Sequence, residues 1–273
     1  MRRNFAGLWL FALLLLMSSA SASLASDRCV PAGGRLRISC SDKGSGGIPV
    51  LFVHGWSCDR TFWSRQIEGL SRSRRVIAMD LPGHGGNDAP DIAYTQELFA
   101  DSVGRVLDHL RIRRAVLVGH SMGWNAIRTF ALRHPERVAA LVNVDGAFFR
   151  VPETPEDQAN LSKLFAQFGK PFETRDREAF ESLRRGFIAS CFAPETPQAL
   201  REWILGRVSA TPQYVSRSSI LDFLRVERWT DARPVTAPTL AIYAKFTARQ
   251  ELPGHEEYLR RLCPNLEYEE WPS

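Results

Sequence analysis

Short apolar runs alternate with helix-like segments along most of the chain, and this alternation limits the possible folds more than any other feature. The runs are too short for helices but long enough for buried strands. They cover residues 48–54, 75–80, 115–119, 139–145 and 239–244, and we predict a last strand at 266–271. The segments between them include 62–70, 95–110 and 122–133, which we predict to be helices. Apolar strands separated by helices are typical of a sheet covered on both sides, so we predict an α/β fold with a mostly parallel central sheet.

The alternation is interrupted between residues 147 and 233. This stretch contains helical pieces, several prolines and many aromatic residues, and it has no convincing buried strand. An insertion of this length between two strands favours a helical cap over a structureless loop. We therefore divide the chain into a signal peptide (1–25), a first part of the core (26–146), a helical cap after the sixth strand (147–233) and a second part of the core (234–273).

The chain begins with the pattern of an export signal. Arg2 and Arg3 precede an apolar stretch at 5–17, and the small residues that follow offer cleavage after Ala22 or Ala25. This pattern predicts a secreted or periplasmic protein. An uncleaved membrane anchor is the alternative, but the apolar stretch is short for a span of about 20 residues. No later segment is long and apolar enough to cross a bilayer, so we expect no membrane span after cleavage.

Charge and cysteine content argue against several classes of function. The formal net charge is +5, and the arginines are scattered rather than clustered with aromatic residues, so nucleic-acid binding is not indicated. The five cysteines lack the spacing of a metal site and no phosphate-cradling loop occurs, so no cofactor is implied. Cys29 and Cys40 would face each other across an opening hairpin if its turn centred on Gly34-Arg35, and their pairing is left open.

The strongest chemical signal is a G-x-S-x-G motif at residues 119–123, directly after an apolar run and directly before a helix. In this context the serine lies on a sharp strand-to-helix turn, and the two glycines let the backbone bend tightly. The turn exposes the hydroxyl of Ser121 at a helix N-terminus, where amide groups favour developing negative charge. The motif therefore predicts Ser121 as a nucleophile, and a small-residue turn without a chemical role is the alternative.

Two further motifs each follow a predicted strand. They read His-Gly-Trp at residues 54–56 and Asp-Leu-Pro-Gly-His-Gly at residues 80–85. Together with Gly-His-Ser-Met-Gly at 119–123, in this order, they give the chain its resemblance to a known family. From Arg35 to Ser273 the chain resembles the α/β-hydrolase superfamily, and it is most similar to the small esterase-like members.

The resemblance implies an α/β-hydrolase fold and an oxyanion hole, which binds the negative oxygen of the reaction intermediate. The backbone N–H groups of Trp56 and Met122 would form this hole. His54 would shape the oxyanion loop rather than act as a base. His84 and His120 belong to the recurrent motifs and are expected to be structural.

The resemblance places the acidic member of a catalytic triad at one of two positions. After the strand at 239–244 the sequence has no carboxylate until Glu251. Asp145 ends the strand that follows the nucleophile strand, and strand ends in such sheets point into the active-site crevice. We therefore favour Asp145 over Glu251 as the acid, and an N-cap of the following segment is the alternative role of Asp145.

A serine nucleophile needs a base, and the resemblance implies a histidine shortly after the last strand. The sequence given reaches Ser273 without one. Its histidines are His54, His84 and His120 in the motifs, His109 on a helix, His134 before a proline, and His255 at the start of the helix before the last strand. His255 is a weak candidate, better interpreted as a solvated helix residue. We therefore expect the histidine beyond residue 273. Without it, this polypeptide should be a poor enzyme or none, because losing a triad member costs about 10⁴- to 10⁶-fold in turnover.

Two functions from different classes are consistent with these features. The first is a serine hydrolase that acts on a small-molecule carboxylic ester. The elbow motif does not separate ester hydrolysis from C–C cleavage, amide hydrolysis or perhydrolysis, but a serine at this position argues against dehalogenases and epoxide hydrolases. The second is a binding protein that uses the same fold without turnover, since a fold alone does not determine function. The sequence indicates no oligomeric state.

Overall fold

The computed structural model describes residues 27–31, 36–146, 153–244 and 255–271. The strands are β1 (Asp27–Pro31), β2 (Arg37–Lys43), β3 (Val50–Val53), β4 (Val76–Met79), β5 (Ala115–His120), β6 (Val138–Val144), β7 (Thr239–Ala244) and β8 (Leu266–Trp271). They form one sheet in the order β1-β2-β4-β3-β5-β6-β7-β8. All pairs from β4 to β8 are parallel, whereas β2 is antiparallel to β1 and β4. The predicted α/β fold with a mostly parallel sheet is confirmed.

Helices connect the strands and also form an insertion. The connecting helices are α1 (Ser64–Leu70), α2 (Gln96–His109), α3 (Met122–Arg133) and α8 (His255–Leu262). The helices between β6 and β7 are α4 (Pro155–Gly169), α5 (Arg177–Ala189), α6 (Gln198–Ser209) and α7 (Gln213–Phe223). This is the helical insertion predicted after the sixth strand, and we call residues 153–229 the cap.

The sheet is buried on both faces, as its apolar strands require. Side chains alternate along β3, so that Leu51 and Val53 join the core on the side of α2 and α3. Val50 and Phe52 point to the opposite face, where they pack in the same cluster as Ile67 of α1. Helices therefore cover both sides, and the carboxyl ends of the parallel strands share one edge of the sheet.

One helix begins earlier than its apolar spacing predicts. The segment predicted at 62–70 starts as a 3-10 turn at Arg60–Trp63 and continues as α1 from Ser64. The carboxylate of Asp59 accepts a hydrogen bond from the backbone N–H of Thr61 at 2.8 Å and so caps the turn. Side-chain capping, which apolar periodicity does not register, sets this boundary.

The opening hairpin has a different register from the one that would align its two cysteines. Cys29 lies opposite Ser39, and Cys40 lies opposite Arg28.

The predicted signal peptide at 1–25 lies outside the described residues. Within the described part of the chain, no helix is long and apolar enough to cross a membrane.

Candidate active site

The carboxyl ends of β3, β5 and β6 lie side by side because these strands are parallel neighbours. Val53 at the end of β3 is in register with Gly119, and His120 at the end of β5 is in register with Val144. The segments that follow these strands therefore meet at one edge of the sheet. They are the His-Gly-Trp turn at 54–56, the elbow around Ser121, and Asp145.

Ser121 forms the sharp turn between β5 and α3. Its φ of +50° and ψ of −120° lie in a region that residues other than glycine rarely adopt, which is common for residues held in place at functional sites. Its backbone N–H donates to the Val144 carbonyl at 3.1 Å, and its carbonyl accepts from the Trp124 N–H at 3.0 Å. Its side chain makes no capping hydrogen bond to α3. The backbone thus fixes a partly exposed hydroxyl at the N-terminus of a helix.

Close backbone packing explains the two glycines of the motif. A Cβ on Gly119 would lie 2.6 Å from the backbone nitrogen of Trp124. A Cβ on Gly123 would lie 2.5 Å from the carbonyl oxygen of His54. Both distances are far below van der Waals contact, and backbone atoms cannot rotate away as a side chain can. Glycine at these positions therefore lets the first turn of α3 approach both β5 and the His-Gly-Trp turn.

The two predicted oxyanion donors lie beside the nucleophile. A Cβ on Gly55 would be 3.2 Å from the Cβ of Ser121, so the residue before Trp56 lies directly against the elbow. Met122 is the first residue of α3, where backbone N–H groups have no partner within the helix. The fold therefore brings Trp56 and Met122 to the same edge as Ser121, while their role as oxyanion donors stays a prediction.

His54 joins the ends of β3 and β4 through both of its ring nitrogens. Its Nε2 accepts from the Leu81 N–H at 2.9 Å, so its Nδ1 carries the proton and donates to the Gly55 carbonyl at 2.8 Å. Burial lowers the pKa of His54 to about 4 in spite of the Gly55 hydrogen bond. The ring is therefore neutral at pH 7 and holds the His-Gly-Trp turn, which leaves neither nitrogen available to act as a base.

Burial of two neighbouring imidazoles predicts that the fold is sensitive to acid. The His84 ring lies 5.2 Å from that of His54, and burial together with His54 lowers the pKa of His84 to about 3. The unfolded chain takes up protons at histidine near pH 6.5, whereas the folded protein keeps both rings neutral down to about pH 4. The free energy of unfolding should therefore have its full value above pH 6.5 and fall as the pH approaches 4, by about 3 kcal/mol from His54 alone.

Urea denaturation at pH 7, 6, 5 and 4 measures this decrease. His54→Gln removes one titrating group, so its unfolding free energy should depend less steeply on pH, although it is lower at pH 7. His109→Gln is the control, because His109 is exposed on α2 and should leave the wild-type slope unchanged. Equal slopes for wild type and His54→Gln would contradict the explanation.

A rigid turn holds Asp145 at the end of β6. The φ of Asp145 is +47°, and its N–H donates to the Ile242 carbonyl of β7 at 2.8 Å. The side chain of Asn143 accepts from the Gly146 N–H at 2.7 Å and donates to the hydroxyl of Tyr243 at 2.9 Å. These hydrogen bonds fix the turn on both sides of Asp145, next to the elbow.

The surroundings of Asp145 are consistent with a catalytic acid and leave the assignment a prediction. Burial raises the pKa of Tyr268 on β8 to about 12, the negative charges of Glu270 and Glu256 add to this rise, and that of Asp145 adds least. Asp145 therefore lies near β8, the strand after which the resemblance places the histidine. The next described helix, α4, is capped by Thr154 rather than by Asp145. The alternative acid, Glu251, lies outside the described residues.

The rings of His120 and His134 each pack against an aromatic side chain. The His120 ring packs edge-on against Trp63, with ring centroids 6.4 Å apart, and the His134 ring packs against Phe130. His255 is the first residue of α8. The base predicted beyond residue 273 remains a prediction. Among the described residues, no cluster of histidine, cysteine and acidic side chains is arranged to hold a metal ion.

The cap contacts the His-Gly-Trp turn, which no sequence pattern indicated. The indole N–H of Trp56 donates to the Ser216 carbonyl at 2.8 Å, and its ring packs against Phe172 and Phe187 with centroids 5.6 and 5.7 Å away. Arg184 donates from Nη1 to the hydroxyl of Ser216 at 3.0 Å. A single serine or arginine within a helix forms no motif, so only the tertiary contacts reveal these residues.

Proteins similar in sequence include a hydrolase and, over a shorter segment, an acetyltransferase component. 2-Hydroxymuconate semialdehyde hydrolase from Pseudomonas sp. (strain CF600) is 33% identical over 193 residues, which cover 64% of this chain and 68% of that protein. The dihydrolipoyllysine-residue acetyltransferase component of the acetoin cleaving system from Pseudomonas putida is 40% identical over 109 residues. That match covers 40% of this chain and only 30% of the relative.

Structural similarity extends over nearly the whole chain. A thermophilic esterase from Thermogutta terrifontis, solved with malate bound, has a TM-score of 0.72 and 26% sequence identity, and the match covers 91% of this chain and 90% of the esterase. The family model for the alpha/beta hydrolase fold matches residues 48–270. With the elbow, the parallel sheet and this match in agreement, the chain belongs to the alpha/beta hydrolase family.

Proposed function

We propose that this protein is a serine hydrolase that cleaves small or medium-sized carboxylic esters. The observation that carries the proposal is the position of Ser121, held at φ +50° at the N-terminus of α3 and beside Gly55. The structural relative from Thermogutta terrifontis is named an esterase and the Pseudomonas relative a hydrolase, which supports hydrolysis as the class of reaction.

In the proposed reaction, Ser121 Oγ attacks the ester carbonyl while a histidine takes its proton. The N–H groups of Trp56 and Met122 donate to the oxyanion of the tetrahedral intermediate. Collapse of the intermediate breaks the C–O bond, the histidine protonates the departing alcohol, and water then hydrolyses the acyl-serine. We propose that Asp145 orients this histidine.

Aromatic side chains around the site favour an ester with an apolar part. Phe172 and Phe187 pack against Trp56, and Phe168 extends the group with ring centroids 5.7 and 5.9 Å from theirs. Phe168 is 42% exposed, so the aromatic group reaches from the His-Gly-Trp turn to the surface of the cap. Aromatic surfaces bind apolar ligand groups, and we propose that the acyl or alcohol part of the substrate lies there.

Covalent labelling with a fluorophosphonate probe tests the proposal on the full-length protein. The probe should label one serine, which peptide mass spectrometry should identify as Ser121, and unlabelled ester substrate should slow the reaction. Heat-denatured protein is the control and should not be labelled. The absence of labelling together with no turnover of 4-nitrophenyl esters would favour the non-catalytic binding protein. Turnover of 2-hydroxymuconate semialdehyde without turnover of esters would replace the ester with the substrate named for the relative.

A further inference from the structure

The segment that carries the proposed Trp56 donor is held by the cap as well as by His54. Besides the indole hydrogen bond of Trp56, the hydroxyl of Ser57 donates to the hydroxyl of Ser216 at 2.8 Å. The hydroxyl of Thr211 donates to the Ser57 carbonyl at 3.1 Å. Ser57 and Ser216 are fully buried and Thr211 is 4% exposed, so these hydrogen bonds are shielded from water. The turn therefore depends on α7 and on the residues just before it.

A buried arginine fixes the cap side of this contact. Arg184 on α5 is 3% exposed, and its Nη1 donates to the Ser216 hydroxyl at 3.0 Å and to the Thr211 carbonyl at 2.7 Å. Its Nε donates to the carboxylate of Glu181 at 3.0 Å, which balances the buried charge. Because a guanidinium group is a planar and rigid donor, it holds the two cap residues that contact Ser57 in one geometry.

We propose that Arg184 and Ser216 are positioning residues that place the Trp56 amide for oxyanion binding through Ser57. The inference rests on the proposed serine hydrolase function and adds that the cap, and not the core alone, assembles one half of the oxyanion hole. An amide displaced by about 1 Å loses much of its stabilisation of the transition state while substrate binding changes little. Loosening this contact should therefore lower kcat and leave KM nearly unchanged.

Two serines on α7 provide a matched test. Ser216→Ala removes the hydroxyl that contacts Ser57 and Arg184. Ser219→Ala removes an equally buried hydroxyl on the same helix, but that hydroxyl bonds only to the carbonyls of Val215 and Ser216 among the described residues. We expect kcat for a 4-nitrophenyl ester to fall by about 10- to 100-fold in Ser216→Ala and by less than about twofold in Ser219→Ala.

A trifluoromethyl ketone distinguishes positioning from general destabilisation. It forms a hemiketal oxyanion on the nucleophile, so its inhibition constant should rise in Ser216→Ala in proportion to the loss of kcat/KM. Ser57→Ala should show the same loss, and adding Ser216→Ala to it should cost little more, because the two hydroxyls act in series. Ser57→Ala also serves as the test if Ser216→Ala does not fold, as judged by its melting temperature.

The results separate the two proposals. If Ser121→Ala retains full turnover, the proposed function fails. Two results would overturn only the positioning role, provided that Ser121→Ala is inactive. One is an equal loss of activity in Ser216→Ala and Ser219→Ala. The other is a change of KM alone in Ser216→Ala.

Discussion

In the full-length protein, replacing Ser121 with alanine should lower the rate of ester hydrolysis by about 10⁴- to 10⁶-fold and leave the fold intact. The alanine variant has no nucleophile. Only the slow direct attack of water on the ester would remain, with the amides of Trp56 and Met122 stabilising its oxyanion. The Ser121 side chain makes no capping hydrogen bond to α3, and alanine has the same difficulty as serine in adopting a φ of +50°. The free energy of unfolding should therefore change by less than about 1 kcal/mol.

Initial rates with a 4-nitrophenyl ester and urea denaturation of the same preparations measure the two effects. Ser73→Ala is the matched control. It removes an exposed hydroxyl that is distant in sequence from the elbow, so this variant should keep the wild-type rate. A Ser121→Ala protein that keeps more than about one hundredth of the rate would be incompatible with a serine nucleophile at this position.

Replacing Asp145 with asparagine should lower kcat by about 10³- to 10⁴-fold. Asparagine has nearly the same size and shape as aspartate, but its side chain is neutral. It therefore cannot offer a negatively charged acceptor to the histidine N–H or stabilise the imidazolium that forms during attack. The turn should survive, because backbone hydrogen bonds and the side chain of Asn143 hold it. Asp145→Asn should therefore fold like wild type and bind substrate with a similar KM.

Glu251→Gln is the corresponding change at the alternative acid position. It should retain kcat within about threefold, while Asp145→Asn does not. Steady-state kinetics of both variants in parallel decide between the positions. The opposite result, a large loss in Glu251→Gln and a small one in Asp145→Asn, would move the acid to the segment after β7.

The fold was predictable because the residue patterns of short segments predict its strands and helices. The helix at Met122–Arg133 and the strands at Thr239–Ala244 and Leu266–Trp271 agree with the sequence prediction at both ends. Apolar runs that alternate with helices are typical of strands buried on both faces, as in a parallel sheet between two layers of helices. The elbow was predictable for a similar reason, since a strand, a tight glycine-flanked turn and a helix follow each other directly in the chain.

Features that depend on side-chain capping, on strand register or on contacts between distant residues were not predictable. The 3-10 turn before α1 depends on the carboxylate of Asp59, and the register of the opening hairpin differs by one position from the one that aligns its cysteines. Neither follows from apolar periodicity. The same limit applies to the neighbours of Trp56 in the cap, which lie more than a hundred residues away in sequence.

The sequence by itself determined the individual strands, the insertion after the sixth strand and the serine at the elbow, because each of these is encoded by adjacent residues. Only the tertiary structure decided that Gly55 lies against Ser121, that both nitrogens of His54 are occupied, and that Arg184 and Ser216 hold the turn beside Trp56. The physical reason is that hydrogen bonds and close packing between distant segments depend on where the folded sheet and cap place them, and no spacing along the chain records that geometry.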